Sequence, residues 1–520
     1  MDKLGVIVLL ETVKQARIGS IIPVYKELNQ EIDAFEYFAK LSNYGKKKNS
    51  LLIENNGKSI GTANPCLVLT GKGDNFEIKA LNEAGKRFLG FIKKDFGFCD
   101  KATYSNGRIY GVLSKAKKPV SEDQRLRMRT HADIIRAVAF KFESVLKPLD
   151  HYAGLFGVIS SDFMGSVEEL PDVEDRMNDP DYLLYFLDNM FIVDHDSKKT
   201  YFIANALVTD SKKDKIYGQC SSTIKSYEKF LDKKLLRNKK PKKKAFEANY
   251  LSKDEFLNAL KDAKRNIIEG NALHLALSRG AVCNYNSEAL DIYAKLKLRS
   301  DSVFYINDES GISIGTSLGT NLAVKGENEK YVEFNLETAA VLKGNDAIDN
   351  DLDNKHEVML RCDEPEAINH TILLDAARND VAKVSAFGTR HAGKLFFINK
   401  RGHTLSLSSV IKGILKKDLD ALHAFEFVFD IGIPRIKSAA LLRVLEKEKK
   451  GLCLGAFIHA APDKELESSS AEVLRLRKDK ACFKCVSHVF YNTNEEDEAR
   501  KNEDRLLGKF DIIKSAGEFK

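Results

Sequence analysis

The chain has 520 residues, of which 43% are hydrophobic and 30% charged. A protein of this size can bury a large core, and its scattered cysteines argue against a small secreted disulfide scaffold. The 82 basic and 75 acidic residues leave a net charge of only +7 and look interspersed along the chain. We therefore expect no nucleic-acid partner.

An N-terminal apolar run could indicate a membrane protein, and one cysteine pair could indicate a metal site. The run from Leu4 to Leu10 is too short to span a membrane and lacks a cleavage site. Cys482 and Cys485 stand at metal-ligand spacing, with His488 three residues further on. A structural zinc ion needs four such ligands, so we expect no zinc at this pair. A cytoplasmic location without membrane association is predicted.

The first half of the chain is predicted to be a sheet with helices on one face. Residues 1–50 form an N-terminal segment, and residues 51–232 form a subdomain with both strand-like and helical patterns. The predicted strands are Leu51–Glu54, Cys66–Leu69, Phe76–Ala80, Tyr185–Asp194 and Lys199–Val208, and the predicted helices are Asn82–Ile92 and Gln124–Leu146.

A basic stretch separates the two halves. Lys233 to Lys244 reads K-K-L-L-R-N-K-K-P-K-K-K, a run that can bind polyanions or act as a nuclear signal. It also suits a solvated connection, which we favour. Residues 233–250 are thus interpreted as a linker to a second domain, residues 251–520.

The second domain begins with a clear helix start. Ser252 and Glu255, three residues apart, match a capping box, and Gly270 is a stop signal. The buried face of this helix is predicted to comprise Phe256, Leu260, Ala263 and Ile267.

The elements that follow are in an order typical of an α+β protein. Val303–Asn307 and Ile312–Thr316 bracket a turn and predict a β-hairpin. Further predictions are a strand at Tyr331–Leu342 and helices at Asp418–Phe429, Lys437–Glu448 and Asp497–Leu507.

The segment Cys362–Val384 is predicted to be a helix that carries functional groups, with Asp363 as its N-cap. Glu366, Asn369 and His370 are three and four residues apart, so they share one face and could point at one ligand. The alternative is an amphipathic helix whose polar residues are merely solvated. Its apolar stripe is predicted to comprise Ile368, Ile372 and Leu373.

Several motifs give the chain a resemblance to a known family. The L-L-D-A-A-R-N-D sequence of Leu373–Asp380 resembles the signature helix of the chorismate-utilising enzymes, and anthranilate synthase component I is the most similar branch. Gly154–Gly157, Asp418–Ala424 and Glu495–Glu498 fall at similar intervals, so the resemblance extends over Leu51–Leu507. It implies an α+β fold, a two-lobed sandwich of large antiparallel sheets flanked by helices.

The resemblance also implies a magnesium ion that grips the carboxylate of chorismate between two helices. Glu366, Glu495 and Glu498 are the candidate ligands, and Asn369 stands at the position of a family glutamate. A neutral amide removes a full charge from such a site, so weakened Mg²⁺ binding is expected.

The catalytic candidates that the resemblance supplies are altered as well. Ser406 stands where the family has a catalytic histidine, with His403 close by in sequence. His274 stands where ammonia-adding members keep glutamine and water-adding members keep lysine, and it matches neither. Glu366, His274 and Ser406 are therefore the candidate catalytic residues.

The candidate substrate-binding residues are Arg279, Gly432, Cys453, Gly455 and His488. Gly432 belongs to a shortened form of the family's substrate loop, and Cys453 replaces a tyrosine near the retained Gly455. Val486–His488 replaces a Gly-Ala-Gly segment whose backbone amides bind a carboxylate, and bulky side chains obstruct that close approach.

These differences favour a divergent family member whose chorismate chemistry is lost or redirected to another anionic substrate, for instance in a specialised biosynthetic pathway. One alternative is an active anthranilate or aminodeoxychorismate synthase. Because this sequence shows no glutaminase segment, that enzyme would take ammonia from a partner glutamine amidotransferase or from solution. The other alternative is a non-catalytic binding protein on the same scaffold.

Overall fold

The structure of the protein is a computed structural model that describes residues 10–55, 57–115, 126–146, 149–235, 246–317, 321–342, 350–401 and 404–516. The α-helices are α1 Leu10–Gln15, α2 Ala34–Leu41, α3 Glu83–Ile92, α4 His131–Ala139, α5 Met164–Val167, α6 Lys213–Leu231, α7 Lys253–Ile268, α8 Ala289–Lys297, α9 Asn350–Cys362, α10 Glu364–Val384, α11 Arg435–Glu446 and α12 Glu495–Ala516.

The strands of the first half are β1 Ser20–Leu28, β2 Ser50–Glu54, β3 Lys58–Thr62, β4 Leu67–Lys72, β5 Asn75–Ala80, β6 Lys101–Ser105, β7 Arg108–Val112, β8 Glu143–Ser144, β9 Gly154–Ser160, β10 Tyr182–Leu187, β11 Asn189–Asp194 and β12 Lys199–Leu207. Those of the second half are β13 Ala248–Tyr250, β14 His274–Asn284, β15 Val303–Asn307, β16 Ile312–Ser317, β17 Leu322–Lys325, β18 Tyr331–Leu342, β19 His391–Arg401, β20 Thr404–Ile414, β21 Gly432–Ile433, β22 Leu454–Ala460, β23 Leu466–Arg477 and β24 Lys480–Val489.

Strand β23 is the point at which the sheet branches. It pairs with β16, β17, β22 and β24, always antiparallel. One run of strands continues from β16 through β15, β2, β3, β11 and β12 to β1. Another continues from β22 through β9, β10, β4, β5 and β7 to β6. The predicted α+β fold with large antiparallel sheets is confirmed.

The hydrophobic core has three parts. One consists mainly of strand residues from both runs, such as Phe156 and Tyr185 from one run and Phe304 and Ile306 from the other. The two larger parts are closed by helices, α3, α4, α7, α10 and α11 on one side and α2, α6 and α8 on the other, while α12 contributes to both. Helices therefore flank the sheets as predicted.

Strands from the two halves of the chain pair with one another. Strand β2 of the first half pairs with β15 of the second, and β9 pairs with β22. Most of the basic stretch Lys233–Lys244 falls outside the described residues, which stop at 235 and resume at 246. The division into residues 51–232, a linker at 233–250 and residues 251–520 stays a prediction.

Local signals in the second half are confirmed. The side chain of Ser252 accepts a hydrogen bond from the backbone N–H of Glu255, and the Glu255 side chain accepts one from Ser252, so the capping box is formed. Helix α7 ends at Ile268 and Gly270 follows with a φ of +77°. The residues buried along it are the predicted Phe256, Leu260, Ala263 and Ile267.

Three predicted elements differ from the observed ones. The predicted helix Asp418–Phe429 consists of two 3-10 turns, Ala421–His423 and Phe425–Val428, because most of its side chains are buried rather than those on one face. The predicted helix Gln124–Leu146 is limited to α4, which begins after its Thr130 cap. The predicted strand Tyr185–Asp194 is divided into β10 and β11 at the buried Asp188.

The N-terminal apolar run Leu4–Leu10 lies outside the described residues except for its last member. Within the part of the chain that the structure describes, no helix has the length and apolar character needed to cross a membrane.

Candidate functional site

The N-terminus of α10 places Glu366 at the edge of the candidate site. Asp363 caps the helix by accepting a hydrogen bond from the backbone N–H of Glu366 at 3.1 Å. Burial and the neighbouring Asp363 raise the pKa of Glu366, while Lys501, Asn369 and His488 act in the opposite direction. Glu366 therefore faces residues of α12 and β24 as well as its own helix.

Asn369 and His370, the two other polar residues of this face, have different environments. Asn369 is 8% exposed, and its Oδ1 atom has no partner among the described residues. His370 accepts or donates hydrogen bonds at both ring nitrogens, to Thr338 at 2.6 Å and Ser409 at 2.8 Å. Burial lowers the pKa of His370 to about 4. His370 thus ties α10 to β18 and β20 in its neutral form.

The buried face of α10 differs from the predicted apolar stripe. Ile368 is 39% exposed and Ile372 and Leu373 are half-buried. The residues packed inward are Asn369, His370, Leu374, Ala377, Val381 and Val384. The helix packs on β18 and β20, so the stripe that meets the sheet begins with two polar side chains.

The two glutamates of α12 that were predicted to bind Mg²⁺ are both in ion pairs. Glu495 lies 3.3 Å from the ammonium group of Lys264. Glu498 accepts a hydrogen bond from Arg505 at 2.8 Å. With these cations in place and a neutral amide at Asn369, the residues present do not fit a site for Mg²⁺, which prefers free carboxylates and several waters.

A further carboxylate near this helix is also neutralised. Glu472 of β23 accepts a hydrogen bond from Lys509 at 2.6 Å. Burial acts to raise the pKa of Glu472, but Lys509, Arg505 and His488 lower it on balance. Arg505 and Lys509 are not among the site residues predicted from the sequence. Arg505 and Lys509 follow Glu498 by seven and eleven residues, so they lie on the same face of a predicted helix. That spacing was the signal in the sequence that these cations lie near the carboxylate.

Asn502 holds α12 against the sheet. Its side-chain amide donates to the hydroxyl of Ser487 at 3.0 Å and to the carbonyl of Cys485 at 3.3 Å. The segment Val486–His488 is a regular part of β24 paired with β14. Its backbone groups therefore belong to a β-ladder, unlike those of a glycine loop that grips a carboxylate.

His274, His488 and Asp430 form the most compact polar group at the site. His274 Nε2 lies 3.1 Å from His488 Nδ1, and His488 Nε2 lies 3.4 Å from Asp430 Oδ2. Phe490 stacks on the other side of His274, with ring centroids 4.6 Å apart. Burial and the neighbouring His488 lower the pKa of His274 to about 3, so its imidazole is neutral at neutral pH.

The side chain of Ser406 points away from α10, because it lies on the opposite face of β20 from Ser409. Ser409 bonds His370 of α10, and because side chains alternate along a strand, Ser406 and Ser408 point the opposite way. Ser406 instead contacts Glu337 and Ser408 at 3.5 and 3.4 Å. His403, the possible substitute, lies outside the described residues.

Arg279 and Cys453 are buried in contacts within the protein. Arg279 is 1% exposed, donates to the carboxylate of Glu503, and donates to the carbonyl of Leu251 at 2.9 Å. The thiol of Cys453 contacts the carbonyl of Cys482 at 3.6 Å. Neither side chain is open to a substrate in this arrangement.

The two glycines among the candidates lie where strands approach closely. A Cβ atom on Gly455 would lie 2.0 Å from the carbonyl oxygen of Ile159 on β9. Gly432 has a φ of +142°, and a Cβ atom there would lie 2.5 Å from the carbonyl oxygen of His274. Both glycines therefore allow strand pairing, and Gly432 brings its loop against His274.

The cysteine pair at ligand spacing does not form a metal site. Cys482 and Cys485 are both buried in β24. Because they are three residues apart in a strand, their thiols point to opposite faces of the sheet. Burial raises the pKa of Cys482 to about 11, so its thiol is protonated at neutral pH.

Comparisons with known proteins bear on this arrangement. Residues 99–471 match the profile of the chorismate binding enzyme family. The chain is 27% identical to anthranilate synthase component 1 of Vibrio parahaemolyticus over 434 residues, which cover 79% of this chain and 78% of that protein. It is 25% identical to the component 1 protein of Buchnera aphidicola from Acyrthosiphon pisum over 514 residues, 95% of this chain and 97% of that protein.

Solved structures share the fold. The crystal structure of anthranilate synthase component I from Streptococcus pneumoniae superposes with a TM-score of 0.66 at 18% identity, covering 89% of this chain and 92% of that one. The menaquinone-specific isochorismate synthase of Escherichia coli superposes with a TM-score of 0.61 at 11% identity, covering 97% and 98%.

Proposed function

The chain belongs to the chorismate binding enzyme family, and we propose that it is a divergent member of the anthranilate synthase component I type. In this proposal its magnesium-dependent chorismate chemistry is lost and the candidate site serves another anionic substrate. The observation that carries this proposal is the pairing of Glu498 with Arg505 and of Glu495 with Lys264. Two of the three carboxylates that would hold the metal already have cations.

The same pairings support an anionic ligand. Lys501 and Arg505 are exposed on α12, and the charge of Lys501 acts to lower the pKa of Glu366 at the start of α10. An anionic substrate could compete for these cations without a bridging metal, because ammonium and guanidinium groups bind carboxylates and phosphates directly. The family's scaffold would thus be kept while its mode of holding the substrate has changed.

A second candidate is an active anthranilate or aminodeoxychorismate synthase. The extent of the match favours it, because the Buchnera protein aligns over 97% of its length. Relatives of this kind are named as component 1, and such an enzyme would take its ammonia from a partner glutamine amidotransferase. In either case we place the protein in a biosynthetic pathway of the cytoplasm.

Incubation of the purified protein with chorismate, Mg²⁺ and excess ammonium tests the proposal directly. We expect no consumption of chorismate and no fluorescent anthranilate, while the Vibrio component 1 enzyme assayed in parallel serves as the positive control. Chorismate should also give no thermal shift. Formation of anthranilate would contradict the proposal and support the second candidate, and a thermal shift without turnover would favour a binding protein for chorismate.

A further inference from the structure

We propose that His274, His488 and Asp430 form a binding site for a divalent transition metal ion of the zinc class. One ligand atom from each of the three residues lies within 4.8 Å of the others. The donor set consists of two imidazole nitrogens and one carboxylate oxygen, which suits Zn²⁺, Co²⁺ or Fe²⁺ and not Mg²⁺. The inference goes beyond the proposed function, since it concerns metal binding and not the substrate.

Two strands and the loop before β21 bring these ligands together. His274 is the first residue of β14, and its backbone pairs with Ile433 of β21, three residues after Asp430. His488 lies on β24, which pairs with β14 so that His488 is opposite Ala276. The positions of the two histidines are therefore fixed by β-ladders, and Asp430 lies in the loop just before β21. Ligands on regular elements need little ordering when an ion binds.

The ligand spacings require one local adjustment. Two ligands of a tetrahedral zinc ion at about 2.0–2.1 Å from the metal are themselves about 3.3 Å apart. The His274–His488 separation of 3.1 Å involves Nδ1 of His488, whereas the Asp430 contact of 3.4 Å involves its Nε2. A turn of the His488 ring would present one nitrogen to the ion. The side chain is 46% exposed and so has room to turn, whereas His274 is held by Phe490.

Three protein ligands leave at least one coordination position open. Structural zinc sites use four protein ligands, while sites with three keep a position for water or substrate. The charge of His488 acts to lower the pKa of both Glu366 and Glu472, so the open position would lie near these two carboxylates. An anionic group of a substrate could occupy it.

Titration of the metal-free protein with Co²⁺ tests the site, because tetrahedral Co²⁺ with nitrogen and oxygen ligands absorbs visible light. We expect one Co²⁺ per chain with d–d bands, displaced by Zn²⁺ and unaffected by excess Mg²⁺. His488→Gln and Asp430→Asn, at exposed positions, should each weaken binding by at least about 100-fold. His274→Gln should do the same if the variant folds.

His195→Gln is the matched control. His195 pairs with the carboxylate of Glu31 at 2.7 Å and with Ser59 at 2.8 Å, and neither partner is a second histidine. This variant should bind Co²⁺ as the parent does. Absence of visible bands in the parent, or equal binding by the His488→Gln and Asp430→Asn variants, would overturn the proposal. The chorismate assay is separate, so turnover of chorismate with Mg²⁺ would contradict the proposed function and leave this result unchanged.

Discussion

Arg505 donates a hydrogen bond to Glu498 at 2.8 Å, seven residues away on the same helix. The helix therefore supplies both a carboxylate and the cation that neutralises it. The side chain of Glu498 is only 14% exposed, and a charge-assisted hydrogen bond at that depth is about twice as strong as a neutral one. A metal ion would have to displace the guanidinium group before it could use this carboxylate.

For this reason we expect that Asn369→Glu does not create a Mg²⁺ site. The new carboxylate would be largely buried beside Glu366, and we expect it to lower the free energy of unfolding by about 2–4 kcal/mol. Calorimetric titration should give no Mg²⁺ heat. Asn379→Glu adds the same charge at an exposed position of α10 and should leave stability nearly unchanged. A one-to-one Mg²⁺ isotherm for Asn369→Glu would show instead that the pocket lacks only a charge.

The sequence predicted those parts of the structure that depend on neighbours along the chain. The capping box of Ser252 and Glu255 and the buried face of α7 follow from spacing within one helix. The pairing of Lys264 with Glu495 joins residues more than 200 positions apart. Such contacts depend on how α7 and α12 pack, and no local periodicity encodes them.

The candidate site illustrates the same limit. The sequence indicated that His274 and His488 depart from the family, but it gave no sign that they meet, or that Asp430 joins them. Their meeting depends on the register of β14 against β24. A shift of that register by one residue would move His488 to the other face of the sheet.

Asp188 should make stability depend on pH. Burial raises its pKa from an ordinary value of 3.8 to about 7, although Asn189 and Asn82 donate hydrogen bonds to it. Between pH 4 and 7 the folded state therefore holds a proton that the unfolded state has released. The free energy of unfolding should fall as pH rises through this window, by up to about 4 kcal/mol in total.

Urea unfolding at pH 5 and pH 8 measures this effect. Asp188→Asn mimics the protonated acid and should flatten the pH dependence of the free energy of unfolding. The stability of the variant relative to the parent should therefore be higher at pH 8 than at pH 5. Asp196→Asn, on an exposed turn, is the control and should keep the parent's pH dependence. If the free energy of unfolding changed equally with pH in the parent and in Asp188→Asn, Asp188 would not be the source of the pH dependence.

Gly455 should be essential for stability whether or not it binds a substrate. A Cβ atom would lie 2.0 Å from the carbonyl oxygen of Ile159, a backbone atom that cannot move without opening the β9–β22 pair. We expect Gly455→Ala to lower the free energy of unfolding by about 3 kcal/mol or more, because overpacking at a rigid site is destabilising. Gly90→Ala is the matched control, because nothing lies within 4 Å of its Cβ position in α3. The free energy of unfolding of Gly90→Ala should rise by up to about 1 kcal/mol. Thermal unfolding of both variants measures the difference.

Arg475 should be the most sensitive charged residue of the fold. Its side chain is fully buried, donates to Asp179 at 3.1 Å and to Asp308 at 2.6 Å, and so joins the loop before β10 to the turn between β15 and β16. Arg475→Met leaves the buried carboxylate of Asp308 without a cation and leaves Asp179 with Arg477 alone, so it should lower the free energy of unfolding by about 3–5 kcal/mol.

Three further variants separate charge from geometry at this position. Arg475→Lys keeps the charge but cannot bridge both carboxylates as a planar guanidinium does, so we expect an intermediate loss. Adding Asp308→Asn to Arg475→Met should recover part of the loss, because one uncompensated charge is removed. Arg500→Met breaks an exposed pair with Asp497 and should change stability by less than about 0.5 kcal/mol. If Arg475→Met cost no more than this control in urea unfolding, the buried ion pairs would not contribute to stability, and close packing alone would hold the β15–β16 turn in place.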